Sequence, residues 1–318
     1  MQLKHLFSQL FSKFSGETPP AVAVAVEPQP AVALQPDGVD PDLDTLEHPT
    51  PAGHHFESAV FSAGWITDVG KVRSHNEDGI FVFLGEQQSD NPVPPFGLFV
   101  LADGMGGHQA GEVASALASR VVAGHLMAQV YLPLLSAQER SSTQPSLTEV
   151  MEQAVALANR YVSQTLPGSG TTLTCCMVWG GRLFVGHVGD SRAYLCSANG
   201  EVQQLTQDHS VVSKLVEIGQ LTHEEAAVHP QRNMLYRAVG QGSILDVDVL
   251  THSLRPGDQI LMCSDGLWGA ISDEELWQIV NRAPTLNDAC MDLVAAANEA
   301  GGNDNISVIL VKILREML

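Results

Sequence analysis

The stretch GLFVLADGMGGH, residues 97–108, reads as an apolar strand that stops on Asp103 and turns at Gly104. A strand delivers its terminal residue rigidly to the rim of a sheet, and a following Gly or Asn turns the chain without a bulky side chain. The arrangement recurs along the sequence. Asn76-Glu77-Asp78 lies in the turn RSHNED between the strand-like runs FSAGWITD and GIFVFL, and Asp265-Gly266 follows QILMCS. Asp304-Asn305 precedes ISVILVKIL, and Asp190 sits in VGDSR between two further apolar runs. Taken singly, each Asp-Gly is a turn signal, so the weight lies in the repetition. Acidic groups carried to strand ends can converge, and converging carboxylates repel unless a cation holds them. A hard divalent ion such as Mg²⁺ or Mn²⁺ prefers oxygen ligands of this kind, which makes a metal site the first expectation.

The 318 residues are enough for one large or two ordinary domains, and 44% hydrophobic content suffices for a buried core. A formal charge of −20 argues against non-specific nucleic-acid binding, because nothing here would release phosphate counterions. Most of that excess reads as a solvated acidic surface. Five cysteines without regular spacing suit a reducing cytosol better than a disulfide framework, and the expectation is a cytoplasmic monomer. Cys175, Cys176, Cys196 and Cys263 lie in apolar runs and read as small core residues. No stretch approaches the roughly 18 uncharged apolar residues of a membrane span.

Residues 1–17 carry a helical stripe of Leu3, Leu6, Phe7, Leu10, Phe11 and Phe14, flanked by Lys4 and Lys13. Two lysines make a weak electrostatic anchor, so docking to a partner or to the protein body competes with membrane contact. Residues 18–57 are rich in Pro and Ala and read as a flexible linker. Folded structure is expected over 58–318. A helix is predicted over 109–130, with Val113, Leu117, Val121, Val122, Leu126 and Val130 inward, and a second over 146–164 with Ser146 as its cap. TTLTCCMVW and RLFVGHV, joined by Gly180-Gly181, form a hairpin pattern, as do SRAYLC and EVQQLT around Asn199-Gly200. Residues 208–242 read as a helical excursion beside the sheets, of a size that often serves as a lid. Strands return with ILDVDVLTHSL and DQILMCS, and two helices over 273–282 and 286–300 precede the final strand. Strands that arrive as antiparallel neighbours, with long helices in pairs, suggest an α+β protein of two packed sheets covered by helices.

Taken in order, DVGKVRSHNED, LADGMGGHQAGEVAS, TTL followed by VGDSRAY, LMCSDGLW and GGNDNISVILV closely resemble the signature segments of the protein phosphatase 2C (PPM) family, bacterial-type members above all. The resemblance covers about residues 58–316. It implies a four-layer α-β-β-α sandwich, two antiparallel sheets flanked by helix pairs, with metals in a cleft at one end. It also implies a metal-dependent serine/threonine protein phosphatase that acts on phosphoproteins and opposes a cognate Ser/Thr kinase. Carried onto this sequence, Asp103 would bridge two Mn²⁺ or Mg²⁺ ions, with the Gly104 carbonyl and Glu77 on the second ion. Asp265 and Asp304 would hold the first, Asp78 would position water, and Asp190 with Asp265 would bind a weaker third ion.

Two divalent ions roughly 3.5–4 Å apart can activate a shared water for in-line attack on phosphorus, so no protein nucleophile is needed. Arg73, in the same turn as Glu77 and Asp78, offers a planar fork for two phosphate oxygens. Met105 stands where some relatives carry a histidine acid, which leaves His108 as first candidate to protonate the leaving oxygen, His75 as second and metal-bound water as third. Gly106, Gly107 and Gly111 match no nucleotide-binding pattern and read as points where backbone passes close to the metals. Cys176 and Arg182 have the separation used by cysteine-dependent phosphatases, but that chemistry needs a loop entering a helix, and here a hairpin turn intervenes. Two rival readings remain at this level: a phosphoprotein-binding module without turnover, and a two-metal hydrolase of phosphodiesters or nucleotides.

Overall fold

The computed structural model describes residues 53–87, 93–106, 109–136 and 144–317. The expected helix 1–17, nearly all of the linker, and His108 lie outside them. Residues Thr50–Leu318 form one compact unit. Its strands are β1 (His54–Glu57), β2 (Phe61–Asp68), β3 (Asp78–Gly85), β4 (Phe96–Met105), β5 (Gly170–Thr171), β6 (Leu173–Trp179), β7 (Arg182–Val188), β8 (Arg192–Cys196), β9 (Val202–Gln204), β10 (Asp248–Ser253), β11 (Gln259–Cys263) and β12 (Ile306–Ile313). One sheet runs β1-β2-β12-β11-β8-β9 and the other β10-β7-β6-β4-β3, with β5 appended to β4. Every pairing is antiparallel.

The alternation of side chains along these strands builds the layers. In β4, Phe99 and Leu101 point between the sheets and meet Ile260 and Met262 of β11, Ile309 and Val311 of β12, and Cys176 of β6. The intervening Leu98, Val100 and Ala102 pack on Ala114, Ala118 and Val122 of helix α1 (Gln109–Leu126), with Val155 and Val162 beside them. On the far side, Leu261 of β11 and Val308 and Leu310 of β12 face Leu276, Leu293 and Val294. Both faces of each central strand are therefore buried, which is why these segments read as continuous apolar runs rather than alternating ones.

Helix α1 continues through a wider turn (Met127–Tyr131) into the short α2 (Leu132–Leu135). Among the described residues this stretch, Ala110–Leu135, is long and apolar enough to cross a membrane, although half of its apolar window is buried. The sequence expectation overlooked it because two charges interrupt the run. Helix α3 (Leu147–Thr165) begins at Ser146 as expected, with a reciprocal bond pair to Glu149. Then come α4 (Val211–Glu217), α5 (His223–Ala227), a single turn α6 (Asp265–Trp268), α7 (Asp273–Arg282) and α8 (Leu286–Glu299).

The structure corrects three expectations. The linker ends before residue 57, because His54–Glu57 pairs with β2 and the His54 ring stacks on Trp65. Such an edge strand is held by main-chain bonds, so its polar sequence carries no pattern to announce it. Val113, expected inward, is 44% exposed, turned away from the side on which Ala114 and Ala118 are buried. The strand predicted over 244–254 is confined to β10, and Ile244 is 91% exposed. The Gly180-Gly181 turn holds, with both residues at positive φ (55° and 69°) and Trp179 paired to Arg182. Cys176 is accordingly buried mid-strand, where burial pushes its thiol well above the usual range, and it is no nucleophile.

Burial makes a contrast that can be measured. Phe99→Ala should lower the unfolding free energy by about 3–5 kcal/mol, while Val113→Ala should change it by less than about 1 kcal/mol, read from urea midpoints. Equal losses at the two positions would contradict the layering.

Candidate active site

All the candidate acids lie at one end of the sandwich because antiparallel pairing brings the relevant strand ends together. Asp78 opens β3 and is directly opposite Asp103 near the end of β4. β11 ends beside the start of β12, with Cys263 opposite Val308, so Asp265 and Asp304 leave their strands as neighbours. Arg192 of β8 is opposite Cys263, which places Asp190 on the same rim.

Hydrogen bonds from other segments fix this rim. Asn305 is 5% exposed and ties two residues of the RSHNED turn to Val69, just after β2. Its Nδ2 donates to the carbonyls of Val69 and His75, both at 2.9 Å, and its Oδ1 accepts from the Glu77 amide at 2.8 Å. The Glu77 carbonyl accepts from Ser115 Oγ at 2.6 Å and from the Gly104 amide at 3.1 Å. A Cβ on Gly104 would overlap the Gly111 carbonyl, and one on Gly111 would overlap the Glu77 carboxylate, so both glycines mark close approaches. Thr172 Oγ1 accepts the Asp103 amide at 2.9 Å, and Ser264 Oγ donates to Asp78 Oδ2 at 2.8 Å. Trp268 Nε1 donates to the Asp190 carbonyl at 3.0 Å. None of Ser115, Thr172, Ser264 or Trp268 was singled out from sequence. Only the adjacency of Asn305 to Asp304 in GGNDN offered a signal for it.

The electrostatics follow from this crowding. Asp103 is held well above the usual carboxylate range by burial and then by Asp78, Asp265, Asp190 and Asp304. Burial, followed by Asp265 and Asp304, raises Asp78 to about 7 against the hydrogen bonds of Ser307 and Ser264. Burial and Asp304 raise Asp265 to about 6, although its bond with Asp103 opposes the rise. Asp190, 5% exposed, is raised by burial, Asp265 and Asp208. Arg73 Nη2 pairs with Asp304 Oδ2 at 2.6 Å.

Among the described residues no three His, Cys, Asp or Glu side chains close on a point as a ready-made metal cage. The donor set nevertheless fits a divalent cation. Burial and neighbouring acids push Asp78, Asp103 and Asp265 upward, with Ser264 on Asp78 and Arg73 on Asp304 in place of a full countercharge, and Asp78 Oδ1 is buried with no hydrogen-bond partner among the described residues. A shared hard cation would satisfy that oxygen and remove the repulsion. The structure thus gathers Arg73, Glu77, Asp78, Asp103, Gly104, Asp190, Asp265 and Asp304 on one rim, while His108 lies outside the described residues. The His75 carbonyl is engaged by Asn305.

Residues 208–242, expected as a lid, border this rim and are pinned at both ends. The His209 amide donates to the Gly189 carbonyl at 2.7 Å, and Thr171 and Val239 exchange two bonds of 2.9 Å. Asn159 of α3 accepts from the Gly240 amide at 2.7 Å and donates to the Gly242 carbonyl at 3.1 Å.

A family model described as protein phosphatase 2C matches residues 65–306. The chain belongs to the protein phosphatase 2C family. It is 36% identical over 247 residues to a serine/threonine phosphatase stp of Listeria innocua, covering 77% of this chain and 93% of that protein. It is also 36% identical over 256 residues to the protein phosphatase PhpP of Streptococcus pneumoniae, covering 79% and 97%. Among solved structures, it resembles the catalytic domain of the serine/threonine protein phosphatase PstP in complex with two manganese ions. That match has a TM-score of 0.65 at 32% identity and covers 80% of this chain and 99% of that one. The two antiparallel sheets with flanking helices are those of this family's phosphatases.

The raised acids of this protein phosphatase 2C chain carry a pH signature. Asp78 at about 7 and Asp265 at about 6 exceed the ~4 expected of an unfolded carboxyl. The native state therefore holds the extra protons, and this contribution to stability falls as pH rises from ~4 to ~7, then levels. In chelator, Asp78→Asn should gain stability relative to wild type on going from about pH 4 to about pH 8, as read from urea midpoints. A pH-independent difference would contradict the crowding of these groups.

Proposed function

We propose that this chain hydrolyses phosphoserine and phosphothreonine esters on proteins, using Mn²⁺ or Mg²⁺, and so reverses the action of a Ser/Thr protein kinase in the cytoplasm. That it is a hydrolase of the serine/threonine phosphatase class follows from its family. The observation that carries the finer reading is the gathering of Asp78, Asp103, Asp265 and Asp304 on one rim, where Asp78, Asp265 and Asp304 raise the proton affinity of Asp103, and Asp304 raises that of Asp78 and Asp265. Acids arranged in this way are costly without a cation.

In this reading Asp103, Glu77, the Gly104 carbonyl, Asp265 and Asp304 would hold the two ions, with Asp190 and Asp265 available to a weaker third. Ions so placed supply an activated water and neutralise charge on the phosphoryl oxygens. The protein's own groups do the rest. Ser264 fixes Asp78 through Oδ2, which leaves Oδ1 to accept a hydrogen bond from the attacking water. Arg73, half exposed beside Asp304, offers its remaining N–H donors to the phosphoryl oxygens. His108 is assigned the proton for the leaving oxygen on its position in the sequence alone.

With manganese supplied, Asp103→Asn and Asp265→Asn should each lower turnover of a phosphothreonine peptide by about a hundredfold or more. Wild-type turnover in either variant would reject the assigned site. Asp190→Asn should reduce turnover less and retain two bound Mn²⁺ per chain by calorimetric titration; loss of both ions would contradict its placement on a third.

A further inference from the structure

Asp190 is held through its own carbonyl and through both of its neighbours in the chain. Trp268 donates to the carbonyl, and the Gly189 amide donates to His209 Nδ1 at 3.0 Å. On the other side Ser191 is fully buried and is gripped at both of its oxygens. Its Oγ lies 2.8 Å from Thr172 Oγ1, the atom that accepts the Asp103 amide, and its carbonyl accepts from Thr174 Oγ1 at 3.0 Å. Thr174 stands directly opposite His187 in the β6–β7 pair, and its Oγ1 is 2.9 Å from His187 Nδ1. The His187 side chain is fully buried as well, with Nε2 3.1 Å from the Gln207 carbonyl. A continuous polar chain, His187–Thr174–Ser191–Thr172, therefore runs through the core from the Gln207 backbone to the amide of Asp103.

The hydrogens in this chain do not suffice for its contacts. Gln207 to His187, His187 to Thr174 and Thr174 to Ser191 each need one, while a neutral imidazole supplies one and a hydroxyl supplies one. Burial first, and then the His209 ring 4.9 Å away, lower the His187 proton affinity to about 3 against the pull of Gln207, Asp248 and Gly189, so the ring is neutral. With the ring proton on Nε2, Thr174 would turn its hydrogen to Nδ1 and the carbonyl of buried Ser191 would lose that bond. With the proton on Nδ1, the ring donates to Thr174, Thr174 donates to Ser191, and the contact left unmade is at Gln207, an exposed residue. A missing bond costs less where water reaches the group, which selects Nδ1.

We propose that His187 is a positioning residue of the metal rim: its Nδ1–H commits the Thr174 hydroxyl to the Ser191 carbonyl and so holds Asp190 where the weaker third divalent ion binds. This rests on the assignment of Asp190 above and adds a group that touches neither ion nor substrate. A buried hydroxyl with two acceptors within reach is a free rotor, and an imidazole that donates to it removes the choice. Partners behind a ligand act in this way on metal affinity rather than on the chemistry itself.

The test is calorimetric titration of the full chain with Mn²⁺, with urea midpoints in chelator measured beside it. T174V and H187L remove the hydroxyl and the ring, whereas T174S keeps a hydroxyl and H187N keeps a donor in the place of Nδ1. T174V and H187L should bind the third Mn²⁺ about tenfold more weakly and the first two within about twofold of wild type, and T174S and H187N should recover most of the loss. Turnover of a phosphothreonine peptide by T174V should fall at limiting manganese and return when manganese is in excess. In wild type loaded with magnesium, the imidazole nitrogen resonances of His187 should place the proton on Nδ1, a measurement that needs no variant to fold. A proton on Nε2 alone overturns the proposal. So does lowered stability with unchanged third-ion affinity, which would make the chain a structural prop, and so does equal weakening at all three ions. Uptake of only two ions by wild type would reject the assignment of Asp190 and this proposal together, whereas three ions in wild type with the third unmoved in T174V and H187L would reject the proposal alone.

Discussion

Mutual repulsion among buried carboxyls is the constraint on which the rest of this structure depends. Asp103 is raised by four other acids after burial, and none of those four sits next to it in the chain. A fold that brings such groups together must either supply a countercharge or hold them against their own field. The two-sheet core does the holding. Its strands are buried on both faces and keep the rim in place, so the acids cannot separate without disturbing the layers beneath them. The strain is relieved in small ways, through the Asp103–Asp265 contact, Ser264 on Asp78 and Arg73 on Asp304. Each is a partial substitute for a divalent cation.

The frame around the acids is made largely of uncharged side chains acting at a distance in sequence. Asn305, just before β12, binds residues 69–77 through three hydrogen bonds, two of them to the RSHNED turn, and Thr172 and Ser115 bind the backbone on either side of the Asp78–Asp103 pair. Buried polar groups of this kind contribute only about 1 kcal/mol each to stability, but they specify geometry, since an unmet partner costs more than the bond gains. Fixing ligands before a substrate arrives is what electrostatic catalysis requires.

The segment beside the site is held by a second polar cluster. His209 Nδ1 accepts from the Gly189 amide at 3.0 Å, so the imidazole proton must lie on Nε2, which faces Asp248 Oδ2 at 3.1 Å. Arg237 donates to Asp248 Oδ1 at 2.6 Å and keeps that carboxylate charged. Burial lowers the His209 proton affinity, with Arg237 acting the same way and Asp248 against it, consistent with the neutral ring that the Gly189 bond needs. One imidazole thereby links the base of the segment, the β10 edge strand and the backbone next to Asp190.

Much of the plan was legible in residue order. The apolar runs, the Gly180-Gly181 hairpin, the Ser146 cap and the acids at strand ends are near-neighbour properties, set by side-chain periodicity and by the φ/ψ demands of a few residues. The ordered motifs also gave the family. Tertiary structure decided what depends on pairing between remote segments. The Asp78–Asp103 register, the Ser264–Asp78 bond across 186 residues and the Glu77–Asn305 bond across 228 have no local signal, because either partner would look the same in sequence without the other. The same holds for β1, whose four polar-leaning residues form a strand only because β2 offers an open edge, and for Val113, whose side of the helix was fixed by packing of Ala114 and Ala118 on β4. Sequence thus determined which groups could do the chemistry, while the sheets determined that they meet.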